Sequence, residues 1–206
     1  MVANDFIRET LRDGREVVIR PIRPSDLELE RRFVTGLSLR TRYLRLLSGR
    51  DLLPGELERW TDLDPAREIA IIAVARDGAA EQQVGVARCA VDDDAPARWD
   101  FGIVVADAWQ GLGLGEVLLG HLIERAEAAG IAALSSVTLP ENDRMLALAR
   151  RFGFAVRRER GDATLMRVER RLGAPADAAT APFGNSMPAM LPASAAPAAS
   201  ARRGSR

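Results

Sequence analysis

The stretch that most constrains the fold is residues 100–120, in which an apolar run leads through a glycine-rich turn into an amphipathic segment. The run at 101–105 is short and rich in β-branched residues, as is typical of a buried strand. Over 114–129 the apolar residues recur at steps of three and four, which predicts a helix with one buried face that ends at Gly130. The glycines at positions 111, 113 and 115 therefore lie where a strand leads into a helix N-terminus.

A turn of this composition favours an anionic ligand. Glycines let a ligand approach the backbone, and the first N–H groups of a helix have no partner within it, so a phosphate or pyrophosphate is the best fit. A dinucleotide fingerprint would need glycine where this chain has Glu116, and a Walker loop would need a lysine, which the chain lacks altogether. An ordinary glycine-rich turn without a ligand remains the plain alternative.

Two motifs carry a resemblance to a known family. The segment Gln110-Gly-Leu-Gly-Leu-Gly115 resembles the Gln/Arg-x-x-Gly-x-Gly/Ala signature of the GNAT superfamily of acyl-CoA-dependent N-acyltransferases. The segment from Asn142 to Phe154 is similar to the second motif of that family, in which an asparagine precedes an apolar stripe and Gly-Phe. The resemblance implies that the glycine turn cradles the pyrophosphate of acetyl-CoA.

Two further segments resemble one branch of the superfamily, the Pat-type protein lysine acetyltransferases. Leu37-Ser-Leu-Arg-Thr-Arg-Tyr43-Leu-Arg is similar to the pattern Ser-x-x-Ser-Arg-Tyr-x-Arg, and Asp64-Pro-Ala-Arg-Glu68-Ile-Ala resembles Asp-x-x-Arg-Glu-x-Ala. Arg42 and Tyr43 are thereby expected to contact the acceptor. A plain amphipathic helix with its arginines outside and Tyr43 inside is equally compatible with the first segment.

The resemblance implies an α/β fold of the α+β type, the GNAT fold. It has a mixed, mostly antiparallel central sheet of six to eight strands with about four helices, and acyl-CoA binds at a splay between the two central strands. The residue pattern agrees, since Asp13-Gly14 between two alternating runs predicts a hairpin. Ser25 with Glu28 predicts a capping box that opens the first helix.

The chain divides into three parts. Residues 1–15 form an N-terminal strand and hairpin that lead into the domain, and residues 16–172 form the GNAT domain. From 173 to 206 the composition shifts to Ala, Pro and Ser, which cannot bury enough surface to offset the entropy of ordering, so we predict a disordered tail.

Composition limits the partners. Lys plus Arg and Asp plus Glu both number 29, so the net charge of zero gives no overall basic field for nucleic acid or an anionic membrane. With a single cysteine, no signal-like N-terminus and no apolar run long enough to span a bilayer, we expect a cytoplasmic protein without an internal disulfide. The expected state is a monomer or a homodimer. We expect no metal either, because Asp92-Asp93-Asp94 has the pattern of a solvated turn rather than of a cation site.

Transfer of an acyl group to an amine needs a base, because a protonated amine is not a nucleophile. Asp100, at the start of the central strand, stands where Pat-type enzymes carry a glutamate base, and its shorter side chain suggests action through an ordered water. Glu68 is the alternative base. His121 lies near the apolar stripe of the central helix, where a packing role is expected.

By resemblance, backbone groups of Ile103, Val104 and Val105 pair with the pantetheine arm, and one of them polarises the thioester carbonyl. Two family features are missing, since Ala149 replaces the tyrosine that protonates the leaving thiolate and Leu112 occupies a position that is often basic. The other expected cofactor-binding residues are Gln110, Gly111, Leu112, Gly113, Leu114, Gly115, Glu116 and Asn142.

Two classes of function follow. The first is an enzyme that moves an acetyl group from acetyl-CoA to a primary amine, namely a protein lysine or, as a rival, a small amine. The second is a non-catalytic acyl-CoA sensor, which the missing tyrosine and the shortened base favour.

Overall fold

The computed structural model describes residues 6–46, 55–78, 80–92 and 95–173. One eight-stranded sheet has the order β1-β2-β3-β4-β5-β6-β8-β7, and every neighbouring pair is antiparallel except β5 with β6. This confirms the predicted mixed, mostly antiparallel sheet of six to eight strands, with five α-helices in the described residues where about four were expected. The strands are β1 (Ile7–Thr10), β2 (Glu16–Pro21), β3 (Glu68–Asp77), β4 (Ala80–Val91), β5 (Trp99–Val105), β6 (Ala133–Thr138), β7 (Ala155–Arg158) and β8 (Met166–Arg171). The helices are α1 (Leu27–Thr35), α2 (Leu39–Leu46), α3 (Glu56–Thr61), α4 (Leu114–Ala128) and α5 (Asp143–Arg151), with short 3₁₀ turns at Pro24–Asp26 and Asp107–Trp109.

The sheet separates two hydrophobic cores. On one face, α4 packs over β3, β4 and β5, where Phe101 and Leu118 are fully buried, and α5 packs on the edge strand β7. On the other face, α1 packs on β4, and Phe33 and Trp60 belong to the same core as Val104. Gly85 lets α4 lie close to β4, because a Cβ atom at that position would be 2.8 Å from Leu118 Cδ1.

The N-terminal hairpin is confirmed, since Thr10 of β1 lies opposite Glu16 of β2 and Gly14 has a φ of +86° in the turn. It belongs to the same sheet as the rest of the domain. The predicted capping box at Ser25 is wrong. The carboxylate of Asp26 instead accepts the Arg23 N–H at 2.8 Å and the Arg20 guanidinium at 2.6 and 2.8 Å, and α1 starts only after it.

The alternative in which α2 is a plain amphipathic helix, with its arginines exposed and Tyr43 buried, is also wrong. Tyr43 is 43% exposed. The Arg45 side chain is 9% exposed and lies 3.8 Å from a Glu30 carboxylate oxygen, and its guanidinium carbon is 4.3 Å from the centroid of the Trp60 ring. A buried ion pair and a cation–π contact together draw the arginine inward.

Two predictions fall partly or wholly outside the described residues. The predicted tail lies beyond residue 173, and Asp93 and Asp94 are likewise outside them. Asp92 itself is not solvated but 3% exposed, with Arg98 Nε donating to its Oδ2 at 3.0 Å. Within the described ranges, no helix is long and apolar enough to cross a membrane, and no three His, Cys, Asp or Glu side chains are grouped to hold a metal ion.

The two central strands separate after a short contact. Strands β5 and β6 pair only at Trp99 with Leu134 and at Asp100 with Ser135, although both continue beyond these positions. Beyond Asp100 and Ser135 the two strands therefore diverge, and we call the gap between residues 101–105 of β5 and residues 136–138 of β6 the fork.

Candidate active site

Beyond Asp100, the edge of β5 that faces the fork is not paired with β6. On the opposite edge the Ala106 N–H donates to the Val84 carbonyl oxygen at 2.9 Å. Because the direction of backbone groups alternates along an antiparallel strand, those of Ile103 and Val105 face the fork, whereas those of Val104 face β4. The Gln110 side chain agrees with this geometry, as its Nε2 donates to the Val105 carbonyl oxygen at 3.0 Å.

Asp100 lies where the fork begins. It is 7% exposed, and its Oδ1 atom is buried without a hydrogen-bond partner. Burial raises the pKa of the Asp100 carboxyl from 3.8 to about 7; the Asp92 carboxylate adds to the rise, and the Arg167 and Arg98 guanidinium groups oppose it. A carboxyl group with a pKa near neutrality can both accept and release a proton at physiological pH.

The charges around Asp100 are themselves paired. Arg167 donates from Nη1 to Ser135 Oγ at 2.8 Å and from Nε to the Glu159 carboxylate. The side chains of Arg167 and Glu159 are 3% and 7% exposed. Burial remains the largest influence on the pKa of Asp100, ahead of the charged groups around it.

Glu68 lies on the same face of the sheet as Asp100 but not beside it. The register aligns Glu68 with Ala90, and Ala90 with Asp100. Because neighbouring strands lie about 4.8 Å apart, the Cα atoms of the two acidic residues are separated by about 10 Å. The structure thus brings Asp100 to the fork and leaves Glu68 two strands away.

The glycine loop takes the conformation that glycine permits. Gly111 and Gly113 have φ values of +79° and +92°, in the left-handed region, and Gly113 is the N-cap of α4. The N–H groups of Glu116 and Val117 both donate to the Gly113 carbonyl oxygen. Ahead of them, the N–H groups of Leu114 and Gly115 lie in the first turn of α4, where a helix offers no internal acceptor.

Two polar side chains of the motifs have internal partners. Gln110 joins three elements, because its Nε2 also lies 3.3 Å from Thr41 Oγ1 and its Oε1 accepts from Arg144 Nη1. Asn142 caps α5 by accepting the Met145 N–H at 3.3 Å, and it donates to Thr138 Oγ1 at 3.0 Å. Both residues therefore hold the walls of the fork in place.

Helix α2 is fixed to the segment that follows β5. The Asp107 carboxylate accepts from the Ser38 N–H at 2.9 Å, from Ser38 Oγ at 2.8 Å and from Thr41 Oγ1 at 2.7 Å. Asp107 therefore accepts the hydrogen bonds of donors at the N-terminus of α2 although it belongs to another element. No local sequence signal indicates this contact. Helix α2 carries Arg42, whose Nε is buried and unpartnered, and the exposed Tyr43.

The other residues that the sequence singled out are His121, Ala149 and Leu112. His121 is half-buried, with Nε2 2.7 Å from Glu9 Oε1 and Nδ1 3.1 Å from Glu124 Oε2, so it pairs with carboxylates rather than packing only against apolar groups. Ala149 is fully buried and brings no hydroxyl group. Leu112 is half-buried, and its carbonyl oxygen accepts the Arg12 N–H at 3.2 Å.

Sequence reasoning missed two arginines at the loop. Arg12 and Arg151 both donate to Glu116 Oε1, at 2.6 and 3.0 Å. They come from the β1–β2 turn and from the end of α5. Neither belongs to the glycine motif, and only the long-range pairing of the hairpin with the sheet brings Arg12 there.

Comparison with known proteins agrees with this arrangement. The model of the family described as the acetyltransferase (GNAT) family matches residues 38–154, more than half of the 206. The chain belongs to the GNAT family of acetyltransferases. The matched segment of this GNAT chain runs from the start of α2 to Phe154 and contains the fork and the glycine loop.

Individual GNAT relatives give the same result. The chain is 35% identical to Acetyltransferase PA5475 of Pseudomonas aeruginosa over 164 residues, which are 79% of this chain and 88% of that protein. It is 28% identical to Acetyltransferase Pat of Mycolicibacterium smegmatis over 143 residues, 69% of this chain but only 42% of Pat. The crystal structure of the GNAT domain of S. lividans PAT superposes with a TM-score of 0.73 at 25% identity, covering 84% of this chain and 99% of that one.

Proposed function

We propose that this GNAT protein transfers an acetyl group from acetyl-CoA directly to a primary amine, with Asp100 as the general base. The observation that carries the proposal is the position of Asp100, a buried carboxyl group with a pKa of about 7 at the point where the fork opens. The fork fits a pantetheine arm, because the groups of Ile103 and Val105 on its edge can pair with an amide chain as with a further strand. The glycine loop then lies at the end of β5 for the pyrophosphate.

In this mechanism the amine nitrogen attacks the thioester carbonyl carbon. The N–C bond forms, the C–S bond breaks, and the proton of the amine passes to Asp100, directly or through one water. An N–H group on the fork edge stabilises the negative charge that develops on the carbonyl oxygen. The thiolate of coenzyme A takes its proton from water, because Ala149 has no group to supply one.

A protein lysine is the acceptor that we favour. The support is the sequence likeness to Pat, together with an exposed aromatic residue, Tyr43, on the helix that Asp107 anchors beside the fork. Asp100, Gly102 and Val104 share one sheet face, and Gly102 adds no side chain to that face next to the carboxylate.

A non-catalytic acyl-CoA-binding module is the second candidate, and the buried methyl group of Ala149 is the observation that favours it. The two are separated by steady-state release of coenzyme A from acetyl-CoA, measured with purified protein and a panel of acceptors: lysine-containing proteins, peptides and small amines. Radiolabelled acetyl-CoA identifies the acetylated product. Release that depends on an acceptor supports the enzyme, whereas tight binding of acetyl-CoA without release for any acceptor would support the module.

A further inference from the structure

Arg12 reaches the glycine loop from the β1–β2 turn. Its backbone N–H bonds to the Leu112 carbonyl oxygen, and its side-chain stem lies against Gly113, where a Cβ atom would be 3.4 Å from Arg12 Nε. The turn is thus joined to the loop one residue before the N-cap of α4. The guanidinium group extends from there to Glu116, in the first turn of the helix.

Arg151 arrives at the same place from α5. Its Nη1 and Arg12 Nη2 donate to one oxygen atom, Oε1 of Glu116. The side chains of Arg12 and Arg151 are 57% and 63% exposed, so both guanidinium groups keep donors that face solvent. With two positive charges and one negative, this group of three side chains has a net charge of +1 beside the loop.

We propose that Arg12 and Arg151 bind a phosphate group of the acyl-CoA co-substrate. This assignment rests on the proposed function and names two side chains that would bind its co-substrate. Leu112 supplies no charge to the loop. Arg12, whose backbone N–H donates to the Leu112 carbonyl oxygen, places a guanidinium group beside the loop instead. Arg12 lies outside the segment 38–154 that the family model matches, so that model does not cover this position.

The geometry suits a phosphate better than it suits the carboxylate alone. A guanidinium group presents five N–H donors, and Glu116 takes one from each arginine at its Oε1 atom. Phosphate oxygens accept bidentate bonds from arginine, which are stronger than neutral hydrogen bonds. Glu116 holds the two guanidinium groups side by side, so both are already in position before the phosphate binds.

The test is calorimetric titration of the full chain with acetyl-CoA. Arg12→Gln and Arg151→Gln should each weaken binding by about 5- to 20-fold, because a partly exposed charge-assisted bond is lost. The loss should shrink at high salt. Arg31→Gln is the matched control, since Arg31 is 49% exposed and pairs with Glu28 on α1, and its affinity should stay within about 2-fold of the wild type. Equal melting temperatures would establish that all variants are folded.

Coenzyme A and dephospho-coenzyme A as further probes identify the phosphate. A loss that disappears with dephospho-coenzyme A assigns the arginines to the 3′-phosphate, and one that persists assigns them to the pyrophosphate. Wild-type affinity in both arginine variants would overturn this assignment while leaving the proposed function standing. Absence of any binding by the wild type would overturn the proposed function and the assignment with it.

Discussion

Asp100 lies opposite Ser135 at the last position where β5 and β6 pair, and the two side chains differ in how they are satisfied. Ser135 Oγ accepts from Arg167 Nη1 at 2.8 Å, whereas Asp100 Oδ1 is buried without a partner. The carboxylate therefore keeps an acceptor atom free at the point where a substrate amine would meet the thioester. The following expectations depend on this relationship and on the elements around it.

Replacing Asp100 with asparagine should reduce kcat by about 10²–10⁴, because the side chain keeps its size but loses its basic site. The wild-type kcat/KM should rise with pH until Asp100 is ionised, with a midpoint at about 7, and this limb should be absent from the variant. Steady-state rates across about pH 5 to 10 measure both effects. Acetyl-CoA affinity should barely change, because none of the proposed cofactor contacts involves the Asp100 side chain.

Glu68→Gln is the control for that experiment. Glu68 lies two strands from the fork, so its loss should leave kcat close to the wild-type value. If Glu68→Gln were the inactive variant and Asp100→Asn retained most of its activity, the assignment of the base would be reversed.

The same carboxyl group should make stability depend on pH. Its pKa is raised from 3.8 to about 7 in the folded state, so between these values the folded protein holds a proton that the unfolded chain releases. The contribution of this group to the free energy of unfolding should therefore fall by roughly 3–4 kcal/mol as pH rises from about 4 to about 7, and then level off. Urea denaturation at a series of pH values, compared with Asp100→Asn, measures this. Parallel curves for the two proteins would contradict the prediction.

Gly113→Ala tests the loop. With φ at +92°, an alanine is strained whatever the space around it, and its Cβ would also contact the Arg12 side chain, with Nε 3.4 Å away. Gly153→Ala is matched in backbone conformation, with φ at +76° and nothing within 4 Å of the added Cβ. Both variants should lose about 1–2 kcal/mol of stability. Only Gly113→Ala should also lose acetyl-CoA affinity, and equal affinities in calorimetry would contradict the role of the loop.

Glu30→Ala should be the most destabilising single change in the α1 core. Glu30 is fully buried, accepts from Gln83 Nε2, and lies 3.7 and 3.8 Å from the guanidinium groups of Arg88 and Arg45. Burial lowers the pKa of Arg45 to about 10, so it is still charged at neutral pH and would be left buried without this partner. The expected loss is about 3–5 kcal/mol.

Glu28→Ala on the same helix provides the comparison. Glu28 is 65% exposed and pairs with Arg31 and Arg32 at the surface, where such pairs contribute at most about 1 kcal/mol. Chemical denaturation of both variants measures the difference. Similar losses would mean that the buried carboxylate does not stabilise the arginines.

The elements that sequence analysis predicted are those with local signals. The strand before the glycine loop, the helix after it and the hairpin at Asp13-Gly14 each depend on residues within one segment, and each is present. The Ser25 cap failed because Asp26, one residue further, binds two donors from the preceding residues, the Arg20 guanidinium and the Arg23 N–H. A capping-box pattern does not record this competition between neighbouring acceptors.

The candidate site shows the same division. Asp100 and the glycine loop were assigned by motif, and the position of Asp100 at the fork follows from strand order. Arg12 and Asp107 reach their partners from other elements, at sequence separations of 104 and 69 residues. Their contacts exist only once the sheet has formed, so no spacing in the chain predicts them.

The fork also has a mechanical consequence. Strands β1–β5 and strands β6–β8 are joined through the ladder at only two residue pairs, so the sheet is in effect two smaller sheets that share a short seam. Across the seam, the rings of Phe101 and Phe154 are in contact, with centroids 5.1 Å apart. A molecule that hydrogen-bonds along the open edge of β5 while touching α5 would link both halves. Hydrogen exchange of the β6–β8 amides should then slow when such a molecule binds, even for amides that it never contacts.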